Sequence, residues 1–141
     1  MQNDLFDTVR KKLHLMLGFL DELSLELSEQ KFDYLTASTS KHRAVERLCQ
    51  LIIECSIDAN NLLAIQSGES PPISARDSFK TVHQLGVISI ETRDVFQYRF
   101  VPFRNRLVHM YEEIDNERVY ESARLLLDNS RRYIQEMIAY L

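Results

Sequence analysis

The chain has 141 residues, of which 45% are hydrophobic and only three each are glycine and proline, and its formal net charge is -4 at pH 7. This length suits one domain, residues 1–141, that can bury a core without disulfides or a structural metal. The acidic balance argues against a protein that coats nucleic acid, because such binding depends mainly on lysine and arginine. Few helix-breaking residues favour long helices, so we expect an all-α protein, a four- to five-helix up-and-down bundle.

Two long amphipathic helices are predicted in the N-terminal half. Apolar residues recur at helical spacing from Asp4 to about Gln30 and again from about Ser40 to Gln66. The polar stretch between them, residues 32–40, is rich in serine and threonine and is predicted to be a turn with candidate N-caps. Cys49 and Cys55 are expected to be small core residues, because their spacing places them on different sides of a helix.

Three further helices are predicted after the loop at residues 67–72. A short helix starts near Ser74 and ends at Gly86, and a fourth starts at Ser89 or Thr92 and reaches the region of Tyr111. The fifth spans about residues 116–140. The sequence shows no repeat, no secretory signal and no stretch of eighteen apolar residues, so we expect a cytoplasmic protein without a membrane partner.

A local excess of positive charge lies on the fourth predicted helix. Residues 93–106 carry four arginines, Arg93, Arg99, Arg104 and Arg106, against the single acid Asp94. A basic patch on an acidic protein suits a site that handles phosphate transiently.

The same helix ends in a group of side chains that can handle a phosphodiester. Arg104 supplies a permanent cation, Asn105 an amide, His109 an imidazole and Tyr111 a phenol. Asn105 and His109 are four residues apart, so the amide can orient the imidazole. On a helical wheel the polar group faces away from the core, although Pro102 is expected to kink the helix upstream. A surface constellation without function is the competing interpretation.

Two other sets of polar residues are candidate sites. Glu54 and Asp58 belong to a polar stripe on the second long helix, which is either a solvated face or the wall of a cleft. A metal site using His14, His42 or His83 is disfavoured, because none of these has a second histidine three or four residues away on the same helix. No metal and no cofactor are therefore expected.

The order of residues at the end of the fourth predicted helix resembles a known signature. Phe103-Arg104-Asn105-Arg106-Leu107-Val108-His109-Met110-Tyr111 resembles that of the HepT-like HEPN ribonucleases: an arginine, four residues, a histidine, one residue and a tyrosine. The similarity extends to residues 85–88, to Glu54 and Asp58, and to residues 127–128, so it covers nearly the whole chain. Two positions depart from the family pattern. Pro102 stands where a small residue is expected, and Leu62 stands where relatives often carry histidine.

The resemblance implies a metal-independent endoribonuclease that cleaves RNA by attack of its own 2′-hydroxyl. It implies a HEPN-like homodimer in which two copies of the motif share one cleft, with Arg104 and His109 as catalytic residues. Asn105 would orient the histidine, and Glu54 and Asp58 would be auxiliary.

The resemblance also implies a partner, a minimal nucleotidyltransferase that acts as antitoxin by attaching AMP to the tyrosine of the motif, here Tyr111. The alternative is a non-catalytic helical subunit that only docks the nucleotidyltransferase.

Overall fold

In the computed structural model, residues 4–109 and 114–141 are described, and within these two ranges every regular element is helical. The expected all-helical bundle is confirmed. The elements in chain order are α1 (Leu5–Glu26), α2 (Lys31–Leu35), α3 (Thr39–Gln66), α4 (Ala75–Gln84), α5 (Ile90–Val95), a π-helical segment (Phe96–Phe100), α6 (Val101–Val108) and α7 (Asn116–Tyr140).

The two longest N-terminal helices, α1 and α3, pack against each other along their apolar stripes. Each begins at a side-chain cap: the Asp4 carboxylate accepts from the Phe6 amide, and the Ser38 hydroxyl accepts from the Lys41 amide. The predicted helix to about Gln30 ends earlier, at Glu26, because Leu27 is the last buried residue before an exposed polar turn.

The helix α3 is long and apolar enough to cross a membrane by length and composition alone. Half of the residues in its most apolar window are buried inside the bundle. These buried residues include Ile52, Ile53 and Leu63 of the central core, so packing accounts for the apolar character of the helix.

The stretch predicted as a turn at residues 32–40 contains a short helix, α2, and this corrects the sequence interpretation. Tyr34 is buried there against His42 and Tyr120, with ring centroids 4.8 and 5.5 Å away. Lys31 pairs with Glu117 and Glu121 of α7. These tertiary contacts stabilise a five-residue helix that local propensity would not support.

The predicted fourth helix is one rod made of α5, the π segment and α6. The backbone stays helical through both junctions, and the Val101 amide donates to the Phe96 carbonyl, five residues back. Pro102 has no amide hydrogen, and its ring would crowd the carbonyl four residues earlier. A wider turn relieves this crowding. The disturbance expected from Pro102 therefore appears as a π segment that ends two residues before it.

The last helix, α7, is tied to the core by a buried polar network. The single hydroxyl hydrogen of Tyr133 is donated to Asn60 Oδ1 at 2.6 Å, with the Ser56 carbonyl as a second, more distant acceptor at 3.0 Å, and Asn60 Nδ2 donates to Ser78 Oγ at 3.1 Å. Burial raises the pKa of the Tyr133 phenol. The network joins α3, α4 and α7 with specific geometry, because each buried polar group needs its partner.

The two cysteines are buried free thiols, as the sequence predicted. Burial raises the pKa of the Cys49 thiol, so the thiol stays protonated at neutral pH.

Candidate active site

The end of α6 is fixed by its buried face and presents its polar residues outward. Phe103 and Leu107 are buried in the core, whereas Asn105, Arg106 and His109 are exposed. His109 is the C-cap, and its amide donates to the Asn105 carbonyl at 3.1 Å. His109 therefore stands at the C-terminal end of α6.

These exposed residues line a cavity of about 890 Å³ between the π segment and α6 on one side and the first turns of α7 on the other. The residues that line it are Tyr98, Arg99, Phe103, Asn105, Arg106, His109, Ile114, Asp115, Arg118, Glu121 and Ser122. Its volume is in the range typical of sites for small ligands or short segments of a polymer.

Among the described residues that line the cavity, three are arginines and two are acids. Both acids have other partners: Asp115 caps α7 by accepting from the Glu117 amide at 2.9 Å, and Glu121 accepts from Lys31 at 3.2 Å.

The arginines of the cavity, Arg99, Arg106 and Arg118, have no acidic partner within residues 4–109 and 114–141. Arg99 Nη2 lies 3.5 Å from Ser122 Oγ. The arrangement suits an anionic ligand.

The structure separates Arg104 from the other motif residues. Asn105 and His109 line the cavity, but Arg104 is not among the lining residues. It is half-buried, and its Nε is buried without a hydrogen-bond partner in the described ranges. On a regular helix Arg104 and His109 lie about 140° apart, so one wall cannot present both. Tyr111 lies outside the described residues.

In the part of the chain that the structure describes, the side chains of Asn105 and His109 form no hydrogen bond with each other, although the sequence predicted one. The bond that joins the two residues runs between backbone atoms instead.

Glu54 and Asp58 lie on α3 and are not among the residues that line the cavity. Glu54 accepts from Gln50 Nε2 at 3.0 Å, and Asp58 lies 3.5 Å from Lys12 Nζ. Both carboxylates therefore have local partners, and an auxiliary role for them stays a prediction.

Of the lining residues, the sequence assigned only Asn105 and His109 to the site, and it indicated Arg99 and Arg106 only as part of a basic patch. Tyr98 and Arg118 had no predicted role. Tyr98 and Arg99 stand seven residues before Asn105 and Arg106, a spacing that places them near the same faces of a helix and could have indicated them. Arg118 belongs to α7, and no local pattern shows that α7 forms the opposite wall.

Within the described part of the chain, no group of three or more histidine, cysteine, aspartate or glutamate side chains is arranged to hold a metal ion.

The chain is similar to known proteins over nearly its whole length. A curated tRNA nuclease HepT of Aphanizomenon flos-aquae (strain 2012/KM1/D3) is 30% identical over 138 residues, 94% of this chain and 89% of that protein.

Two solved structures share the fold. The tri-AMPylated HEPN toxin of Shewanella oneidensis, in complex with its MNT antitoxin, superposes with a TM-score of 0.84 at 22% identity, covering 98% of this chain and 99% of that one. The cytosolic protein YutE of Bacillus subtilis, of unknown function, gives 0.77 at 22% identity, covering 94% and 90%.

The family described as Ribonuclease HepT-like matches residues 15–137, a range that contains both walls of the cavity and most of the core. The chain belongs to this family.

Proposed function

We propose that the protein is a metal-independent endoribonuclease toxin that cleaves RNA by attack of the 2′-hydroxyl on the adjacent phosphate. The observation that carries the proposal is the position of His109, exposed at the end of α6 in a cavity lined by three arginines without acidic partners in the described ranges. An imidazole supplies acid or base near neutral pH, and guanidinium groups stabilise a phosphorane.

The chemistry needs two proton transfers. A base removes the 2′-hydroxyl proton as the 2′-oxygen bonds to phosphorus, and the bond from phosphorus to the 5′-oxygen breaks as an acid protonates that oxygen. The products are a 2′,3′-cyclic phosphate and a 5′-hydroxyl. One imidazole cannot hold and lack the proton at the same moment, so the reaction calls for a second acid-base group.

A second copy of the chain supplies that group in our proposal. Two-fold symmetry brings a second His109 to the cleft, with Asn105 as the residue that orients each imidazole. We assign the stabilisation of charge on the phosphorane to the Arg104 guanidinium, because it is a permanent cation on the same helix as His109.

The cleavage assay uses the purified protein alone, on a mixture of cellular RNA with and without EDTA. The wild type should produce fragments with 2′,3′-cyclic phosphate ends in both conditions, and His109→Ala should lose the activity. His14→Ala is the matched control, because His14 is exposed on α1 and does not line the cavity. If the wild type and His109→Ala cleave RNA equally, or if neither cleaves it, the proposal that the protein is a ribonuclease is refuted. The alternative, a non-catalytic docking subunit, then remains.

Regulation by a partner is the second part of the proposal. A minimal nucleotidyltransferase acts as the antitoxin in the cytoplasm and attaches AMP to Tyr111, two residues after His109. The added bulk and negative charge would block RNA and repel its phosphates.

Intact-mass and peptide analysis after co-expression with the transferase tests this modification. We expect AMP on Tyr111 of the wild type and none on Tyr111→Phe. Tyr140→Phe is the control, because Tyr140 lies at the far end of α7. An unmodified Tyr111 after co-expression contradicts the proposed regulation.

A further inference from the structure

An exposed aromatic ring stands at the wall of the cavity. Tyr98 is 68% exposed, whereas Phe96, Phe100 and Phe103 of the same rod are buried in the core. Within the described residues the Tyr98 ring stacks on no other aromatic ring. A tyrosine with this exposure in a cationic cavity offers a flat face to a ligand that is both aromatic and anionic.

Two guanidinium groups accompany the ring. Arg99 follows Tyr98 directly, and Arg118 lines the cavity from α7. The Ser122 hydroxyl, 3.5 Å from Arg99 Nη2, restricts that guanidinium. A ring beside fixed cations is the arrangement by which proteins bind single-stranded nucleic acid, with bases on aromatic faces and phosphates on arginine.

The spacing to His109 sets where the ring would act. Tyr98 and His109 are eleven positions apart on the rod, which corresponds to about 16 Å along a helix axis. The ring is therefore too far away to touch the reacting phosphate, but it lies within the reach of a neighbouring nucleotide on the same strand.

We propose that Tyr98 stacks on an unpaired base a few nucleotides from the cleaved bond, with Arg99 and Arg118 holding the backbone, so that the substrate is single-stranded RNA. The inference rests on the proposed function, because it takes RNA as the ligand. In a duplex the bases are already stacked on one another, so only an unpaired segment can place a base on the ring. Tyr98 is a positioning residue for the substrate and takes no part in proton transfer.

The test measures binding without cleavage. A single-stranded RNA oligonucleotide carrying one fluorescent 2-aminopurine is titrated against His109→Ala and against the double variant His109→Ala with Tyr98→Ala. Loss of the ring should weaken binding by about 5- to 150-fold, the range that one base-aromatic stack supplies. The fluorescence of the analogue should be quenched by the protein with Tyr98 and not by the variant.

Two further variants separate stacking from other effects. Tyr98→Phe keeps the ring and should bind and quench as the parent does. Tyr140→Ala removes an exposed ring at the far end of α7 and should leave binding unchanged. A blunt duplex of the same sequence should bind more weakly than the single strand, and loss of Tyr98 should not change its affinity.

The outcomes distinguish this inference from the proposed function. Unchanged binding in Tyr98→Ala overturns the inference even when the wild type cleaves RNA. The inference is also overturned if Tyr98→Phe binds RNA as weakly as Tyr98→Ala does. A changed oligomeric state of Tyr98→Ala in light scattering overturns it too, because the ring would then belong to a protein interface. Ring-dependent binding by a wild type that cleaves nothing supports the inference and refutes the nuclease, and no RNA binding at all refutes both.

Discussion

The cationic wall makes a quantitative prediction about salt. Each arginine that neutralises one phosphate of single-stranded RNA releases bound counterions, so the logarithm of the affinity falls with the logarithm of the salt concentration by about 0.7 per contact. Three contacts from Arg99, Arg106 and Arg118 predict that affinity falls about 18-fold between about 50 and 200 mM salt, and two contacts predict about 7-fold.

The variant Arg118→Gln, in the His109→Ala background, tests this value. Fluorescence anisotropy with a labelled single strand across the salt series should give a slope that is smaller by about 0.7 for each Arg118 that contacts RNA. Arg131→Gln is the matched control, because Arg131 is an exposed arginine on the same helix, about 20 Å further along it and outside the cavity. The reasoning is refuted when Arg118→Gln keeps the parent slope, or when Arg131→Gln lowers the slope equally.

Three predictions concern the bundle that carries the site. Tyr133→Phe should lower the free energy of unfolding by about 1–3 kcal/mol in urea titrations, because it leaves the buried oxygen of Asn60 without its donor; a loss below 0.5 kcal/mol, about half the lower bound, would contradict that role. The raised pKa of Tyr133 predicts that stability is complete below about pH 10 and falls above it, since the unfolded phenol ionises first. Tyr133→Phe should make that decline less steep, and an unchanged steepness would count against it. Lys31→Ala should leave the midpoint of urea unfolding almost unchanged, because its ion pairs with α7 are solvent-exposed; a clear fall in the midpoint would show that these pairs contribute more to α2 than the packing of Tyr34.

Periodicity predicted the long helices well, because each buries one apolar stripe. It missed α2, whose stability comes from Tyr34 packing under α7 and not from its own five residues. It also gave no sign of the π segment, since the sequence pattern reports Pro102 as a disturbance without saying how the backbone absorbs it.

The site was predictable only where its residues share one helix. Asn105 and His109 were recognised from their spacing and from the family signature, and the structure places both in the cavity. Arg118 could not be found, because its distance from His109 depends on how α7 packs. The helical wheel placed Arg104 and His109 on one broad polar face of the helix. Only the side of that face that carries Asn105 and His109 lines the cavity.

The π segment has a consequence for aligning this chain with its relatives. A π turn is equivalent to one residue inserted into an α-helix, so every side chain after it is rotated by about 100° relative to an uninterrupted helix. Removing one residue from Phe96–Phe100 should therefore convert the segment into a regular α-helix and leave His109 in register with Arg118. In comparisons with relatives whose helix is regular, the alignment gap belongs inside this rod and not in a loop.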